Sequence, residues 1–130
     1  MPVRGVRGAN VVNQDRSEAI LSATRDLLRT ILEANPSMRS EDLACVLFSM
    51  TGDLSSVYPA RAAREMGWDL VPLMCTQEIP VSGGLERCIR VLLLWNTELP
   101  QAAVRHVYLG AATSLRPDLE ALVLPEVEDK

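Results

Sequence analysis

The clearest periodic pattern in the chain predicts a long amphipathic helix near the N-terminus. Apolar residues recur at helical spacing over residues 20–34, with charged residues between them. Ser17 stands where an N-cap is expected, and Asn35-Pro36 ends the pattern. A second, shorter helix is predicted over residues 59–66, with Gly67 as its C-terminal stop.

Runs of apolar residues predict the strands of a sheet. Four runs cover residues 3–9, 44–50, 70–74 and 86–95, and a fifth is predicted over 104–109. The run at 86–95 ends in five consecutive apolar residues, which is typical of a strand buried on both faces. Strands and helices do not alternate strictly along the chain. The pattern therefore predicts an α+β fold with a mixed sheet of about five strands.

The number of predicted helices is too small for the sheet. Two main helices can cover one face only, although the strands are apolar enough to bury both. A homo-oligomer in which sheets pack together is the simplest way to cover the second face. Pro72, inside the third apolar run, indicates an edge strand or a bulge at that position.

Length and charge limit the class of protein. The 130 residues fit one domain, predicted over residues 1–119, with a mobile tail over 120–130. A net charge of -4 gives nucleic-acid binding no electrostatic support. The chain shows neither a signal-peptide pattern nor an apolar stretch of membrane-spanning length, and its three cysteines form no CxxC motif. We expect a cytoplasmic protein with free thiols and without membrane or nucleic-acid partners.

Motifs for metal, nucleophilic or nucleotide chemistry are missing from the sequence. His106 is the single histidine, so a His-based metal site or a Ser-His-Asp triad would depend on it alone. No P-loop or GxGxxG pattern occurs. The chemistry left is simple binding or a reaction without cofactor or metal.

Arg90 is the residue that the apolar pattern does not explain. It lies within the fourth apolar run, and a guanidinium keeps its charge at any working pH. Beside a buried strand it needs an acidic neighbour or an anionic ligand. Two structural explanations of Arg90 remain open: an ion pair with a neighbouring side chain, or a position at the solvent-exposed end of the strand. Structural roles are also open for Arg7, Cys75, Glu78 and Tyr108, because spacing alone cannot show that they converge.

Five blocks in order along the chain resemble the small monofunctional chorismate mutases. They read VRGVRGA at 3–9, YPARAAR at 58–64, VPLMCTQE at 71–78, GGLERCIRV at 83–91 and RHVYL at 105–109. The resemblance is to the trimeric α+β type and not to the all-helical type. It extends from Arg4 to about Leu119, and the order of the blocks makes it specific.

The resemblance implies a pseudo-barrel homotrimer with active sites in clefts between subunits. Its reaction would be the cofactor-free rearrangement of chorismate to prephenate, on the route to phenylalanine and tyrosine. Arg90 resembles the catalytic residue that contacts the ether oxygen and a carboxylate. Glu78 and Cys75 resemble the pair that binds the ring hydroxyl. Arg7 resembles a carboxylate-binding residue, and Tyr108 the hydroxyl donor on the carboxylate side.

The resemblance also implies a wider set of substrate-binding residues. They are Met74, Thr76 and Gln77 beside Glu78, Tyr58, Ala60, Arg61 and Arg64 from the neighbouring subunit, and Leu115 and Arg116 in a tail that closes on the ligand. Three positions depart from the family pattern: Tyr58 stands where Phe is more usual, Arg61 where Lys is, and Met74 where a small polar residue is.

Two alternatives stay open from the sequence. One is a deaminase-like trimer that acts on enamine or imine metabolites with one Arg in an intersubunit cleft. Arg7 and Glu78 together count against it, because that chemistry needs neither. The other is a non-catalytic module that binds an aromatic metabolite.

Overall fold

A mixed sheet flanked by two helices forms the described part of the chain, which is residues 1–115 of a computed structural model. The strands are β1 Val3–Val11, β2 Leu43–Met50, β3 Leu73–Gln77, β4 Cys88–Asn96 and β5 Val107–Tyr108. The helices are α1 Ser17–Ala34 and α2 Ala60–Glu65, with 3₁₀ turns at Ser40–Asp42, Gln101–Ala103 and Gly110–Leu115. Arg116 and the tail expected at 120–130 lie outside the described residues.

The sheet has five strands in the order β3-β2-β4-β1-β5. The central strand β4 runs antiparallel to both β1 and β2. The two edge strands are parallel to their neighbours, β3 to β2 and β5 to β1. The predicted α+β fold with a mixed sheet of about five strands is thus confirmed.

Both helices pack on one face of this sheet, which we call the helix face. Leu27, Leu28 and Ile31 of α1 are fully buried in one apolar cluster with Ala60 and Ala63 of α2. The sheet contributes alternate residues of its central strands to this cluster: Val6, Val46, Phe48, Val91, Leu93 and Trp95. The helical stripe read from the sequence is therefore the stripe that faces the core.

The helix boundaries follow the sequence signals with one correction. The prediction of Ser17 as N-cap is wrong, because Arg16 occupies the cap position without a side-chain hydrogen bond. The Ser17 hydroxyl donates instead to the Ser56 carbonyl at 3.2 Å. The predicted Gly67 stop is confirmed, since Gly67 has a φ of +91° just after α2, where glycine is favoured.

Two strands differ from their predicted extents. β3 begins at Leu73 rather than at residue 70, so Cys75, Thr76 and Gln77 lie within the strand instead of after it. Pro72 lacks an amide proton and stands just before the strand, where its carbonyl accepts from the Val46 amide at 2.9 Å. Its signal for an edge strand is confirmed. β5 keeps only two residues of the predicted run.

The other face of the sheet, which we call the outer face, is only partly covered in the single chain. Along β4 the residues Ile89, Val91 and Leu93 are buried on the helix face, whereas Leu92 and Leu94 are half-buried on the outer face. This strand was predicted to be buried on both faces. Within one chain, it is fully buried on the helix face only. An apolar outer face of this kind is available for packing or for a ligand.

Close packing of α1 against β1 depends on Gly8. A Cβ atom at this position would lie 2.9 Å from the Val107 carbonyl oxygen and 3.0 Å from methyl carbons of Ile31 and Leu27. The backbone oxygen cannot move without disturbing the pairing of β1 with β5. Gly8 therefore sets the distance between the helix, the first strand and the edge strand.

We predict that Gly8→Ala lowers the free energy of unfolding by about 1–3 kcal/mol, the usual cost of overpacking a well-filled core. Gly5→Ala in the same strand is the matched control, since a Cβ there meets its nearest neighbour at 3.7 Å. Chemical denaturation of both variants at one protein concentration checks this. Equal stabilities for the two variants would contradict the packing argument.

Candidate active site

A cavity of about 390 Å³ opens on the outer face of the sheet. It is lined by side chains that the strand register sets side by side. Ala9, Arg90, Ser49 and Thr76 are cross-strand neighbours in one row over β1, β4, β2 and β3. Tyr108 of β5 extends this row beyond Ala9. Residues far apart in sequence thus reach one cavity because their strands are paired in this register.

A charged pair lies across the floor of the cavity. The Nε atom of Arg90 is 3.6 Å from the Oε2 atom of Glu78, within range of an ion pair but too long for a good hydrogen bond. The Arg90 side chain is 36% exposed and that of Glu78 is 24% exposed. Glu78 follows β3 directly, and its amide donates to the Met50 carbonyl at 2.9 Å, so its backbone is fixed. Its Oε2 atom also accepts a hydrogen bond from the Ser49 hydroxyl.

Two polar groups in the cavity are buried without a hydrogen bond to the described residues. They are the Nε of Arg90 and the hydroxyl of Tyr108, a residue only 5% exposed. Buried donors are almost always paired in folded proteins. Two such donors at one cavity make it a candidate site for a ligand with acceptor oxygens.

Arg7 supplies a second positive charge at the cavity. It lies in the row next to Arg90, paired with Leu92, and its side chain is exposed. Its backbone amide donates to Nδ1 of His106 at 3.0 Å, next to the point where β5 joins β1. With two arginines and one carboxylate, the cavity suits an anionic ligand that also carries a hydroxyl donor.

The structure brings six of the expected site residues to this cavity: Arg7, Thr76, Gln77, Glu78, Arg90 and Tyr108. Met74 lies on the outer face in the row of Arg7 and is 60% exposed, outside the cavity lining. Cys75 lies on the opposite face of β3, where it packs against the helix-face core. Its pairing with Glu78 stays a prediction.

The segment around α2 does not reach the cavity within the single chain. Tyr58 is 70% exposed, and Ala60 is buried in the helix-face core. Arg61 pairs with Glu65 at 3.1 Å, and Arg64 is exposed. These four residues are lining residues of the cavity only if another copy of the chain supplies them.

The C-terminal turn closes one end of the outer face. Leu115 packs against a small cluster of Ala9, Cys88, Tyr108 and Ala112. This cluster holds the Tyr108 ring in place beside the cavity. Arg116, expected to close on the ligand, lies just beyond the described residues.

Ser49 is a cavity residue that sequence reasoning missed. It carries the one hydroxyl of β2, in an otherwise apolar or sulfur-containing run. That contrast was the available signal, but its meaning depends on the register that sets Ser49 beside Arg90. The apolar wall of the cavity, to which Leu47, Ile79 and Leu92 contribute, was missed for the same reason.

The thiol of Cys88 lies two residues before Arg90 on the same face of β4 and is 1% exposed. Burial raises the pKa of this thiol, and the nearby positive charge of Arg90 offsets only part of the rise. Cys88 is therefore a neutral neighbour of Arg90 at physiological pH.

The turn that enters β4 is fixed by Asp53. Its carboxylate accepts the Thr51 hydroxyl at 2.6 Å and the Arg87 amide at 2.9 and 3.1 Å. The Thr51 hydroxyl bond, with a smaller contribution from the Arg87 amide, lowers the pKa of Asp53. Arg87 has a φ of +48°, in the left-handed region, so this turn needs such an anchor. Arg90 follows three residues later.

No group of three or more metal-ligating side chains occurs within residues 1–115. Over the same residues, no helix has the length and apolar character required to cross a membrane. The described site is a cavity on the face of a mixed sheet, lined by side chains that include two arginines, a glutamate and a tyrosine.

Comparison with known proteins identifies the family. Residues 3–119 match the family model described as chorismate mutase type I. The chain is 56% identical over 119 residues to chorismate mutase AroH of Thermus thermophilus, a match that covers 92% of this chain and 98% of the relative. It is 48% identical over 120 residues to chorismate mutase AroH of Bacillus subtilis (strain 168), covering 92% and 94%. A solved structure, a chorismate mutase from Clostridium thermocellum, matches with a TM-score of 0.82 and 39% identity over 85% of this chain and 97% of that one.

The chain therefore belongs to the type I chorismate mutases, a family of isomerases. This membership decides for the isomerase and against the deaminase-like and non-catalytic alternatives.

We predict that Asp53→Asn lowers stability in a pH-dependent way. Because the pKa of Asp53 is lowered in the folded protein, its ionised form stabilises the fold above the unfolded pKa of about 3.9. The stability difference between wild type and variant should be constant from neutral pH to about pH 5. It should then vanish as the pH falls through the folded pKa. Its size is below about 1 kcal/mol, since the carboxylate is exposed and screened.

Denaturation curves of both proteins between pH 7 and the acid limit check this prediction. A difference that stays the same at every pH would show that the charge of Asp53 does not anchor the turn.

Proposed function

We propose that the outer-face cavity is the site where the protein converts chorismate to prephenate. The observation that carries this proposal is that the Nε of Arg90 and the hydroxyl of Tyr108, which line one cavity, make no hydrogen bond within residues 1–115 of a chain of this family. Both groups can donate to oxygen atoms of the substrate. The reaction belongs to the cytoplasmic synthesis of phenylalanine and tyrosine.

The charges of the cavity match those of the substrate. Chorismate is a dianion with two carboxylates, a ring hydroxyl and an ether oxygen. Arg7 and Arg90 lie in adjacent rows of the sheet and can each meet one carboxylate. Tyr108 can donate to a carboxylate oxygen, and Glu78 can accept from the ring hydroxyl. Thr76 and Gln77 also line the cavity.

The rearrangement needs neither a base nor a nucleophile. One C–O bond breaks while one C–C bond forms, within a single cyclic transition state. Holding the enolpyruvyl arm over the ring in a compact conformer lowers the activation free energy, because the reacting atoms are already oriented. The half-buried apolar wall of the cavity, with Leu47 and Leu92, favours that compact shape over an extended one.

Electrostatic stabilisation of the transition state is the second effect that lowers the activation free energy. Negative charge builds up on the ether oxygen as the C–O bond breaks, so a fixed cation stabilises the transition state more than the substrate. Arg90 has this role in our proposal. A preorganised donor of this kind contributes roughly 3–4 kcal/mol, or on the order of 10²–10³ in rate. Glu78, opposite Arg90, favours positive character on the ring through the hydroxyl that it binds.

A homotrimer completes the site in this proposal. The apolar outer face is only half-buried in one chain, and residues 58–64 lie away from the cavity. Packing of outer faces around a threefold axis would bury the former and bring Tyr58, Ala60, Arg61 and Arg64 of one subunit to the cavity of the next. Met74, exposed beside the cavity, would then lie at the subunit boundary.

We predict that Arg90→Gln lowers kcat by about 10²–10³ or more, because the charge that stabilises the ether oxygen is lost. Glu78→Gln should lower it by only about tenfold, since the amide still accepts a hydrogen bond from the ring hydroxyl. The decay of chorismate absorbance gives both rates, and circular dichroism shows that both variants fold. A loss for Glu78→Gln as large as that for Arg90→Gln would contradict the assigned roles.

We also predict that two inactive variants regain activity when their subunits are mixed. Arg90→Gln removes a cavity residue, and Arg64→Ala removes a residue expected from the neighbouring subunit. Random mixing at equal amounts leaves about a quarter of the clefts with both wild-type halves, since each half is intact with a chance of about one in two. Refolding the two variants together should therefore give about a quarter of wild-type activity. Activity no higher than that of the separately refolded variants would contradict an intersubunit site.

A further inference from the structure

Ser49 lies at the centre of the cavity floor, between the two charged groups. Cross-strand pairing sets it beside Arg90 on one side and beside Thr76 on the other. Its hydroxyl donates to Oε2 of Glu78, and the Ser49 side chain lines the cavity. Nothing in the family resemblance assigns this residue a role.

One carboxylate oxygen of Glu78 thus has two neighbours. Oε2 accepts from Ser49 and lies 3.6 Å from Nε of Arg90, whose N–H makes no hydrogen bond within the described residues. The two groups therefore lie within ion-pair range but make no direct hydrogen bond; we call this arrangement an open ion pair, and direct contact a closed one. The second oxygen, Oε1, is not engaged by either neighbour.

A closed ion pair would work against the reaction. A guanidinium and a carboxylate in direct contact form charge-assisted hydrogen bonds of about 2.7–2.9 Å. Such a contact would offset the charge of Arg90 and occupy the carboxylate. The substrate would then have to break that contact before the ether oxygen could reach Arg90 and the ring hydroxyl could reach Glu78.

We propose that Ser49 is a positioning residue that holds Glu78 away from Arg90. By binding Oε2, its hydroxyl fixes the carboxylate at the observed 3.6 Å from the Nε of Arg90. This keeps Oε1 available for the ring hydroxyl and the Nε of Arg90 available for the ether oxygen. This inference rests on the proposed roles of Glu78 and Arg90 in catalysis. It adds a residue that shapes the cavity without touching the reacting atoms.

Four variants test this inference: Ser49→Ala, Ser49→Thr, Glu78→Gln and the double variant Ser49→Ala/Glu78→Gln. Ser49→Ala should lower kcat/KM for chorismate by about 3–10-fold, because Glu78 closes onto Arg90 once its competing donor is lost. Ser49→Thr keeps the hydroxyl and should stay within about twofold of wild type. Thermal unfolding of each variant serves as the control for stability.

The double variant separates positioning from a general structural effect. Glutamine carries no charge, so it cannot form the closed ion pair. In the Glu78→Gln background, Ser49→Ala should therefore change kcat/KM by less than about twofold. The difference between this effect and the larger effect in the wild-type background measures the coupling between the two residues. Equal losses in both backgrounds, or wild-type activity of Ser49→Ala, would overturn the inference while leaving the proposed function intact. Wild-type activity of Glu78→Gln would overturn the role of Glu78 and the inference together.

Discussion

The rest of the site depends on the charge of Arg90, which is half-buried on the sheet and only loosely paired. Its Nε is 3.6 Å from the Glu78 carboxylate and makes no hydrogen bond to the described residues. Burial of a guanidinium carries a desolvation cost, which a loose ion pair offsets only in part. In the proposed mechanism, the dianionic substrate offsets this cost, and the charge that develops on the ether oxygen offsets it most. The benefit of the charge would then arise in the transition state.

The sheet provides the rigidity that this arrangement needs. Gly8 allows α1 and β5 to approach β1 closely, and Asp53 anchors the turn into β4. The helix face is filled by apolar side chains, so the strand register cannot slip without exposing the core. That same register aligns Ser49, Arg90 and Tyr108 on the outer face. Packing of the core on the helix face thus fixes the relative positions of the site residues on the outer face.

Local patterns in the sequence predicted those features that local interactions decide. The period of α1 and the Gly67 stop were confirmed because a helix is defined by neighbours along the chain. The prediction of Ser17 as a cap was wrong because the Ser17 hydroxyl donates to the carbonyl of Ser56, which is distant in sequence. The start of β3 was predicted three residues before its observed position, because Pro72 lies before the strand and not within it. Ser49 was missed, since its role exists only through cross-strand register. The roles of Arg90 and Glu78 came from family resemblance, because spacing alone could not bring them together.

In the proposed mechanism, the positive charge of Arg90, rather than its shape, accelerates the reaction. Semisynthetic replacement of Arg90 by citrulline separates charge from shape, because the urea is neutral and nearly isosteric with the guanidinium and keeps the Nε–H donor, although one terminal NH2 becomes a carbonyl oxygen. We expect a fall in kcat of at least about 10²–10³, with little change in the folded structure. If the citrulline variant folds and keeps kcat within a few-fold of wild type, the charge of Arg90 does not drive the reaction.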